Sequence, residues 1–154
     1  MEIRAARSSD IDAIVEVAGR SWLAVMVHVL SYAEIEHWVR DGKARAILSR
    51  KLDDMLVAVS DDRLVGFVLV EDDTIREIFV RLENHRQGVG RRLVRAAIKV
   101  VRSRGRRAIK VLVKAFNTPS NRLFQSEGFQ LASTTETKFF SHSLPTHGYE
   151  KTIG

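Results

Sequence analysis

The chain has 154 residues, 45% of them hydrophobic and 29% charged, so it is long enough to bury a sizeable core and its composition argues against disorder. It contains no cysteine, which excludes disulfides, thiolate metal ligands and a cysteinyl acyl intermediate. The formal net charge of +6 favours polyanionic partners, but charge alone does not choose among nucleic acid, anionic lipid and a phosphate-bearing cofactor.

We expect a single cytoplasmic domain spanning residues 1–154, with no membrane partner. No apolar run approaches the ~18 residues needed to cross a bilayer, and the first four residues lack the apolar region of a signal peptide. The sequence has no linker, internal repeat or low-complexity segment that would divide it.

The first half of the chain predicts one strand, two helices and a hairpin. A helix follows the cap-forming residues Ser8–Asp10. A second helix opens at Ser31, because Ser31 and Glu34 have the spacing of a capping box, and it breaks at Gly42. The predicted strands are residues 2–6, 55–59 and 64–70, the last two forming an antiparallel hairpin.

Residues 74–93 are the segment around which the rest of the chain is organised. Residues 75–80 are of types that fit a buried strand, and the polar residues 81–87 then turn the chain. Gly88 and Gly90 begin a helix whose apolar stripe is formed by Val89, Leu93, Ala97 and Val100. Its first turn leaves backbone N–H groups without partners and the glycines let an anion approach them, so the sequence predicts a phosphate-binding turn.

Two common phosphate motifs do not fit this turn. A dinucleotide fold requires a third glycine three residues after Gly90 and an acid about twenty residues further on, where Leu93 and Lys110 stand. A nucleoside-triphosphate loop requires Gly-Lys followed by Ser or Thr, and the chain has no such triplet. A helix that merely starts with glycines is the plainer alternative.

The second half of the chain predicts a long helix, a strand, another helix and two final strands. The long helix ends at Gly105, and the next helix opens at Asn117 with Pro119 in its first turn and closes at Gly128. The predicted strands are residues 108–113, 130–140 and 147–153, and a loop containing His142, Pro145 and His147 joins the last two.

Two motifs resemble the GCN5-related N-acetyltransferase superfamily. In that family a strand ending in Val leads through a polar turn to Gln/Arg-x-x-Gly-x-Gly/Ala and a helix, a pattern occupied here by Val80 and residues 85–90. The family's second motif, Asn-x-x-Ala/Ser-x-x-Leu-Tyr-x-x-x-Gly-Phe, is matched by Asn117, Ser120, Leu123, Phe124, Gly128 and Phe129. The chain departs from these motifs at three positions. Leu82 stands where the family often has Pro, His85 where it prefers Gln or Arg, and Phe124 where it usually has Tyr.

The resemblance covers residues 2–153 and implies an α/β fold: a mixed, mainly antiparallel sheet flanked by helices, with two strands splayed into a wedge for the cofactor. It implies an enzyme, an N-acyltransferase that moves an acetyl group from acetyl-CoA directly to a primary amine of a small molecule, a peptide or a protein. The residues then expected to bind coenzyme A are Ile78, Phe79, Val80, His85, Arg86, Gln87, Gly88, Val89, Gly90, Arg91, Asn117, Ser120 and Phe124.

The proposed reaction needs a proton acceptor, because an alkyl ammonium has a pKa of ~10 and must become neutral before its nitrogen can attack. Glu77 is the first candidate, since it lies on the strand that splays and acids of this strand often serve the family in this way. An ordinary solvated or ion-paired acid is the plainer interpretation of Glu77. The alternative acceptors are Glu71, Asp72 and Asp73 in the preceding turn.

The proton donor to the departing thiolate is less clearly indicated. Phe124 lacks the hydroxyl with which the family's Tyr protonates coenzyme A. Because this thiol, like Cys, has a pKa of ~8.5, it can leave partly unprotonated. Tyr149 is the candidate for the catalytic acid, with Tyr32, Ser126 or a water molecule as alternatives.

Partners and rival functions follow from the remaining residues. The five histidines lack metal-ligand spacing, so we expect no metal, and Trp22, His28 and Tyr32 are candidates for the acceptor side. Ten Lys or Arg residues fall between Arg86 and Lys110, but a nucleic-acid module would also need interleaved aromatic residues for base stacking, which are missing. A non-catalytic acyl-CoA sensor of the same fold is the main alternative, and pairing of the final strands in a homodimer is a further expectation from the family.

Overall fold

The computed structural model describes all 154 residues and contains five α-helices and seven strands. The helices are α1 Ile11–Met26, α2 Tyr32–Asp41, α3 Lys43–Ser49, α4 Val89–Ser103 and α5 Thr118–Ser126. The strands are β1 Glu2–Ala5, β2 Met55–Ser60, β3 Arg63–Glu71, β4 Thr74–Val80, β5 Ala108–Lys114, β6 Gln130–Phe139 and β7 His142–Thr152. None of the helices combines the length and apolar character that a bilayer crossing requires.

The strands form one sheet in the order β1-β2-β3-β4-β5-β7-β6. All neighbours are antiparallel except β4 and β5, which run parallel. This parallel pair is in register only at Thr74 with Lys110 and Ile75 with Val111, so the two strands separate beyond Ile75. The predicted mixed, mainly antiparallel sheet with a splayed pair of strands is therefore confirmed.

Helices cover the sheet on both faces, so that each face has its own core. Successive side chains of a strand point to opposite faces and therefore belong alternately to the two cores. On what we call the α4 face, α4 packs through Leu93 and Ala97 against Ile75 and Val111. On the opposite face, which we call the α1 face, Ile14 and other residues of α1 pack against β2 and β3.

Local sequence signals fix several of the element ends as predicted. The Ser31 hydroxyl accepts a hydrogen bond from the Glu34 N–H at 3.2 Å, and the Glu34 carboxylate accepts one from the Ser31 N–H at 2.8 Å, which completes the capping box of α2. In the β2–β3 hairpin, Asp61 and Asp62 have φ angles of 51° and 59°, the left-handed conformation that a tight turn of this kind needs.

Gly42 ends α2 as predicted, but the helix that follows it, α3, was not expected. Gly42 has a φ of 65°, so it stops α2 and redirects the chain at once into the next helix. The sequence pattern missed α3 because the helix is only seven residues long and buries one side chain, Leu48.

The predicted loop between the last two strands is wrong, because β7 begins at His142 and includes Pro145. The Pro145 carbonyl accepts a hydrogen bond from the Ala115 N–H at 2.8 Å, so this peptide is directed toward the side of β5, just beyond the end of that strand. The N–H that proline lacks would point to the same side, where the Ala115 carbonyl instead accepts a 3.4 Å hydrogen bond from the side-chain amide of Asn121.

Candidate active site

The opening between β4 and β5 exposes peptide groups of β4. Arg81 N–H donates to the Val65 carbonyl at 2.8 Å, so residues 77, 79 and 81 direct their peptide groups toward β3 by the alternation of an antiparallel pair. Ile78 and Val80 therefore direct their peptide groups to the opposite edge of β4, where β5 is no longer paired with it. A ligand with amide groups could pair with this edge.

A bulge in β4 determines the direction of Glu77. The register of β3 with β4 shifts between Leu69, which pairs with Glu77, and Val70, which pairs with Ile75, leaving Arg76 as the extra residue. Without this shift Glu77 would share the α4 face with Ile75. With it, Glu77 lies beside Leu69 on the α1 face, and the sequence did not reveal the bulge.

Glu77 lies in the opening as a carboxyl group without an ion pair. The residue is accessible to solvent, but the surrounding protein raises the pKa of its carboxyl by desolvation, an effect that the charges of Lys114 and Lys51 oppose. A raised pKa brings a carboxylate closer to the working range of a general base near neutral pH.

The three alternative acids are all engaged elsewhere. Glu71 forms an ion pair with Lys51 at 2.7 Å, and Asp72 forms one with Arg106 at 2.8 Å. Asp73 accepts a hydrogen bond from the Thr74 hydroxyl at 2.8 Å, which lowers the pKa of its carboxyl. For Glu71 and Asp73 these partners lower the pKa of the carboxyl, which makes the two acids weaker bases than Glu77.

The turn before α4 presents a row of free amides. No backbone or side-chain group of the protein accepts a hydrogen bond from the N–H groups of residues 86–91, and the first amide of this region that has a backbone acceptor is that of Arg92, which donates to the Gly88 carbonyl. Gly88, with a φ of 81°, supplies the left-handed conformation at the start of α4. We call residues 86–91 the amide cradle, and its geometry fits an anion such as a diphosphate.

The second glycine of the cradle has a packing role. A Cβ on Gly90 would lie 3.2 Å from a methyl group of Leu123, so the absence of a side chain lets α4 approach α5. Val89 points inward and is buried on the α4 face.

Side chains of the predicted cofactor set mostly support the turn. The His85 ring Nε2 lies 3.0 Å from the Val80 carbonyl, which also accepts a weak 3.5 Å hydrogen bond from the Ser21 hydroxyl. Gln87 donates to the Glu83 carbonyl at 3.3 Å. Exposed Arg91 is 3.8 Å from the buried carboxylate of Glu127, a loose contact that leaves the guanidinium beside the cradle.

The second motif begins at the end of β5. Asn117 caps α5 by accepting a hydrogen bond from the Ser120 N–H at 3.3 Å. Phe124 is fully buried and packs edge to face on Phe129, with 5.1 Å between the ring centroids. In this arrangement Phe124 is a core residue.

Tyr149 belongs to a buried network whose centre is Asn121. The Tyr149 hydroxyl donates to Asn121 Oδ1 at 2.6 Å, and His147 Nδ1 lies 2.8 Å from the same oxygen. The Asn121 amide nitrogen donates to the carbonyls of Lys114 and Asn117, so the network braces the end of β5 at the opening. Sequence reasoning missed Asn121, because its partners lie on other elements.

We expect Tyr149→Phe to lower the free energy of unfolding by about 1–2 kcal/mol, the cost of a lost buried hydrogen bond, and to leave kcat unchanged. Urea denaturation and the pH dependence of kcat would measure the two effects. A reduced kcat with unchanged stability would instead assign the Tyr149 hydroxyl to proton donation.

Arg81 is a further residue that the sequence did not single out. Its side chain is buried, with Nε donating to the Leu64 carbonyl and Nη1 to Glu16 of α1, both at 2.7 Å. It therefore joins the end of β4 to α1, directly before the cradle.

The three acceptor-side candidates take different positions. Trp22 stacks on Trp38 of α2, with 5.5 Å between ring centroids, and meets Phe139 of β6 edge to face. Tyr32 and His28 are exposed. Ser126, which was an alternative for the proton donor, donates its hydroxyl to the Leu123 carbonyl. Trp22 follows Ser21, which contacts Val80, so the aromatic cluster begins next to the end of β4.

Comparison with known proteins identifies a family for this chain. The family model described as "Acetyltransferase (GNAT) family" matches residues 13–129. The spermidine N(1)-acetyltransferase of Thermoplasma acidophilum is 22% identical over 151 residues, covering 90% of this chain and 94% of the relative.

Solved structures share the fold. A GCN5-related N-acetyltransferase from Rhodopseudomonas palustris superposes with a TM-score of 0.84 at 18% identity, covering 99% of this chain and 95% of that one. The PaiA N-acetyltransferase of T. acidophilum, solved in complex with coenzyme A, gives 0.78 at 21% identity, covering 98% of each chain. Because the family model matches residues 13–129, which are most of this chain, the chain belongs to the acetyltransferase (GNAT) family and is an acyltransferase.

Proposed function

We propose that the protein transfers the acetyl group of acetyl-CoA directly to a primary amine. The observation that carries this proposal is the position of Glu77, a carboxyl without an ion pair, in the β4–β5 opening that leads to the amide cradle. The relative named as a spermidine acetyltransferase agrees with an amine acceptor.

The donor would be held mainly by backbone groups. The free N–H groups of residues 86–91 suit the diphosphate of coenzyme A, with Arg86 and Arg91 beside them. The peptide edge at Ile78 and Val80 suits the amides of the pantetheine arm, and the Val80 N–H would polarise the thioester carbonyl. Phe79, His85, Gln87, Gly88, Val89, Gly90, Asn117, Ser120 and Phe124 would shape this site.

Glu77 would act as the general base. Acetyl-CoA supplies an acetyl thioester, whose C–S bond breaks as the C–N bond to the amine forms. Glu77 would take the proton that the ammonium must lose, directly or through a water molecule. Its raised pKa suits this transfer near neutral pH.

The group that protonates the thiolate is less constrained. Phe124 has no proton to give, and the Tyr149 hydroxyl already donates to Asn121, so Tyr149 would have to exchange that bond to serve as the acid. Because a thiol of pKa ~8.5 leaves readily, we propose that departure as thiolate, with protonation by water, suffices.

Two measurements test this proposal against its alternative, an acyl-CoA sensor that does not turn over. Calorimetry at moderate salt measures acetyl-CoA binding, and release of free thiol on adding a panel of amines measures transfer. We expect both. Binding without thiol release from any amine would favour the sensor, and absence of binding would contradict both functions.

A further inference from the structure

A second charged group faces the same opening as Glu77. Along β5, Val111 and Val113 are buried on the α4 face, so Lys110, Leu112 and Lys114 point to the α1 face. Lys114 lies three residues beyond Val111, where β4 and β5 last pair, and Glu77 lies two beyond Ile75. The two side chains therefore flank the opening from opposite strands, on the same face.

Lys114 has no partner for its charge. It is half-buried, yet its ammonium forms no ion pair or hydrogen bond with any group of the protein. Lys110, on the same face of the same strand, is by contrast 3.7 Å from Asp73. An ammonium that lies at this opening without an ion-pair partner can form a charge-assisted hydrogen bond with a negatively charged ligand.

Lys114 has a polar neighbour on β7, and its charge acts on the carboxyl of Glu77 across the opening. Lys114 pairs in register with Thr146, whose hydroxyl lies 2.7 Å from that of Thr137. Lys51, whose charge also reaches Glu77, is bound to Glu71. If Glu77 receives the proton of the amine, the ammonium of Lys114 is available to bind a different group of the same acceptor.

We propose that Lys114 binds a carboxylate of the acceptor, so that the preferred acceptor is an amine that also carries a carboxylate, such as an amino acid, and not a polycation. This inference rests on the proposed function and narrows its acceptor class. The amine would face Glu77 and the carboxylate would face Lys114, with the donor thioester between β4 and β5.

Matched pairs of acceptors test the proposal. L-leucine, L-methionine and L-phenylalanine are each compared with their carboxamides, which keep the amine and lose the negative charge, and spermidine represents a polycation. We expect kcat/KM to be at least about tenfold higher for the acids than for the amides, as a charge-assisted hydrogen bond would give. In Lys114→Met the ratio of kcat/KM for acid to that for amide should fall by at least about tenfold through a higher KM for the acids, and Lys114→Arg should restore the native ratio.

Controls separate this inference from the proposed function. Lys110→Met, on the same face of β5, should keep the preference, and the KM for acetyl-CoA should not change in Lys114→Met. Turnover of amides or spermidine as fast as of the acids would overturn the role of Lys114 and leave acetyl transfer intact. If no amine is turned over, calorimetric titration of the acids into the protein saturated with coenzyme A decides: binding that is lost in Lys114→Met supports the carboxylate site, and equal or absent binding overturns it.

Discussion

Glu77→Gln is expected to lower kcat/KM for acetyl transfer by about 10²–10⁴-fold, the usual contribution of a general base. The acidic limb of the pH profile should disappear with it. In the native protein, activity should fall as the pH drops below the raised pKa of Glu77, because the protonated carboxyl cannot accept a proton. The profile of kcat/KM from pH 5 to 9 measures both effects.

The same substitution should not harm the fold. Desolvation by the surrounding protein raises the pKa of Glu77, so the folded state binds more protons than the unfolded state between the ordinary and the raised pKa. Stability therefore falls as the pH rises through that window. Removing the charge should therefore leave stability at neutral pH equal or higher.

Glu71→Gln is the matched control for Glu77→Gln. Glu71 lies on the adjacent strand with its carboxylate bound to Lys51. This variant should keep the acidic limb and nearly all of the activity. If Glu77→Gln kept the acidic limb of the pH profile, or if Glu71→Gln lost that limb, Glu77 would not be the base.

Gly88→Val is expected to weaken acetyl-CoA binding by at least about 30-fold, as the loss of one charge-assisted hydrogen bond of ~2 kcal/mol would give. Gly88 has a φ of 81°, which a β-branched residue adopts only under strain, so the turn that presents the free amides of the cradle must rearrange. Calorimetric titration with acetyl-CoA measures the change.

Gly105→Val provides a closely matched control at the other end of α4. Gly105 has a φ of 78°, and a Cβ at either glycine would meet no atom within 4 Å, so backbone strain is the direct cost in both variants. Both should lose about 1–2 kcal/mol of stability, but only the change at Gly88 should weaken binding. Equal affinity in the two variants would show that the cradle does not hold the coenzyme.

Most of the fold follows from signals between residues that are near in sequence. The capping box of Ser31 and Glu34, the aspartates of the β2–β3 turn and the glycines that bound α4 each act over a few residues. The two motifs carry the family for the same reason. Prediction failed where local signals were weak or misleading. The short α3 buries only one side chain and gives little pattern to detect. At Pro145 the pairing with other strands decides whether a proline is tolerated in a strand.

The sequence by itself determined the family and the turn of the amide cradle, because contiguous residues form the motifs behind both, and the mixed sheet followed from the resemblance to the family. Only the tertiary structure decided which face Glu77 occupies, which hydroxyl Asn121 binds and that Lys114 has no partner. These depend on a bulge set by pairing with β3 and on contacts between distant residues, such as Tyr149 with Asn121, 28 positions apart. Side-chain direction reverses with each residue of a strand, so a single extra residue moves an acid from the core to the candidate active site.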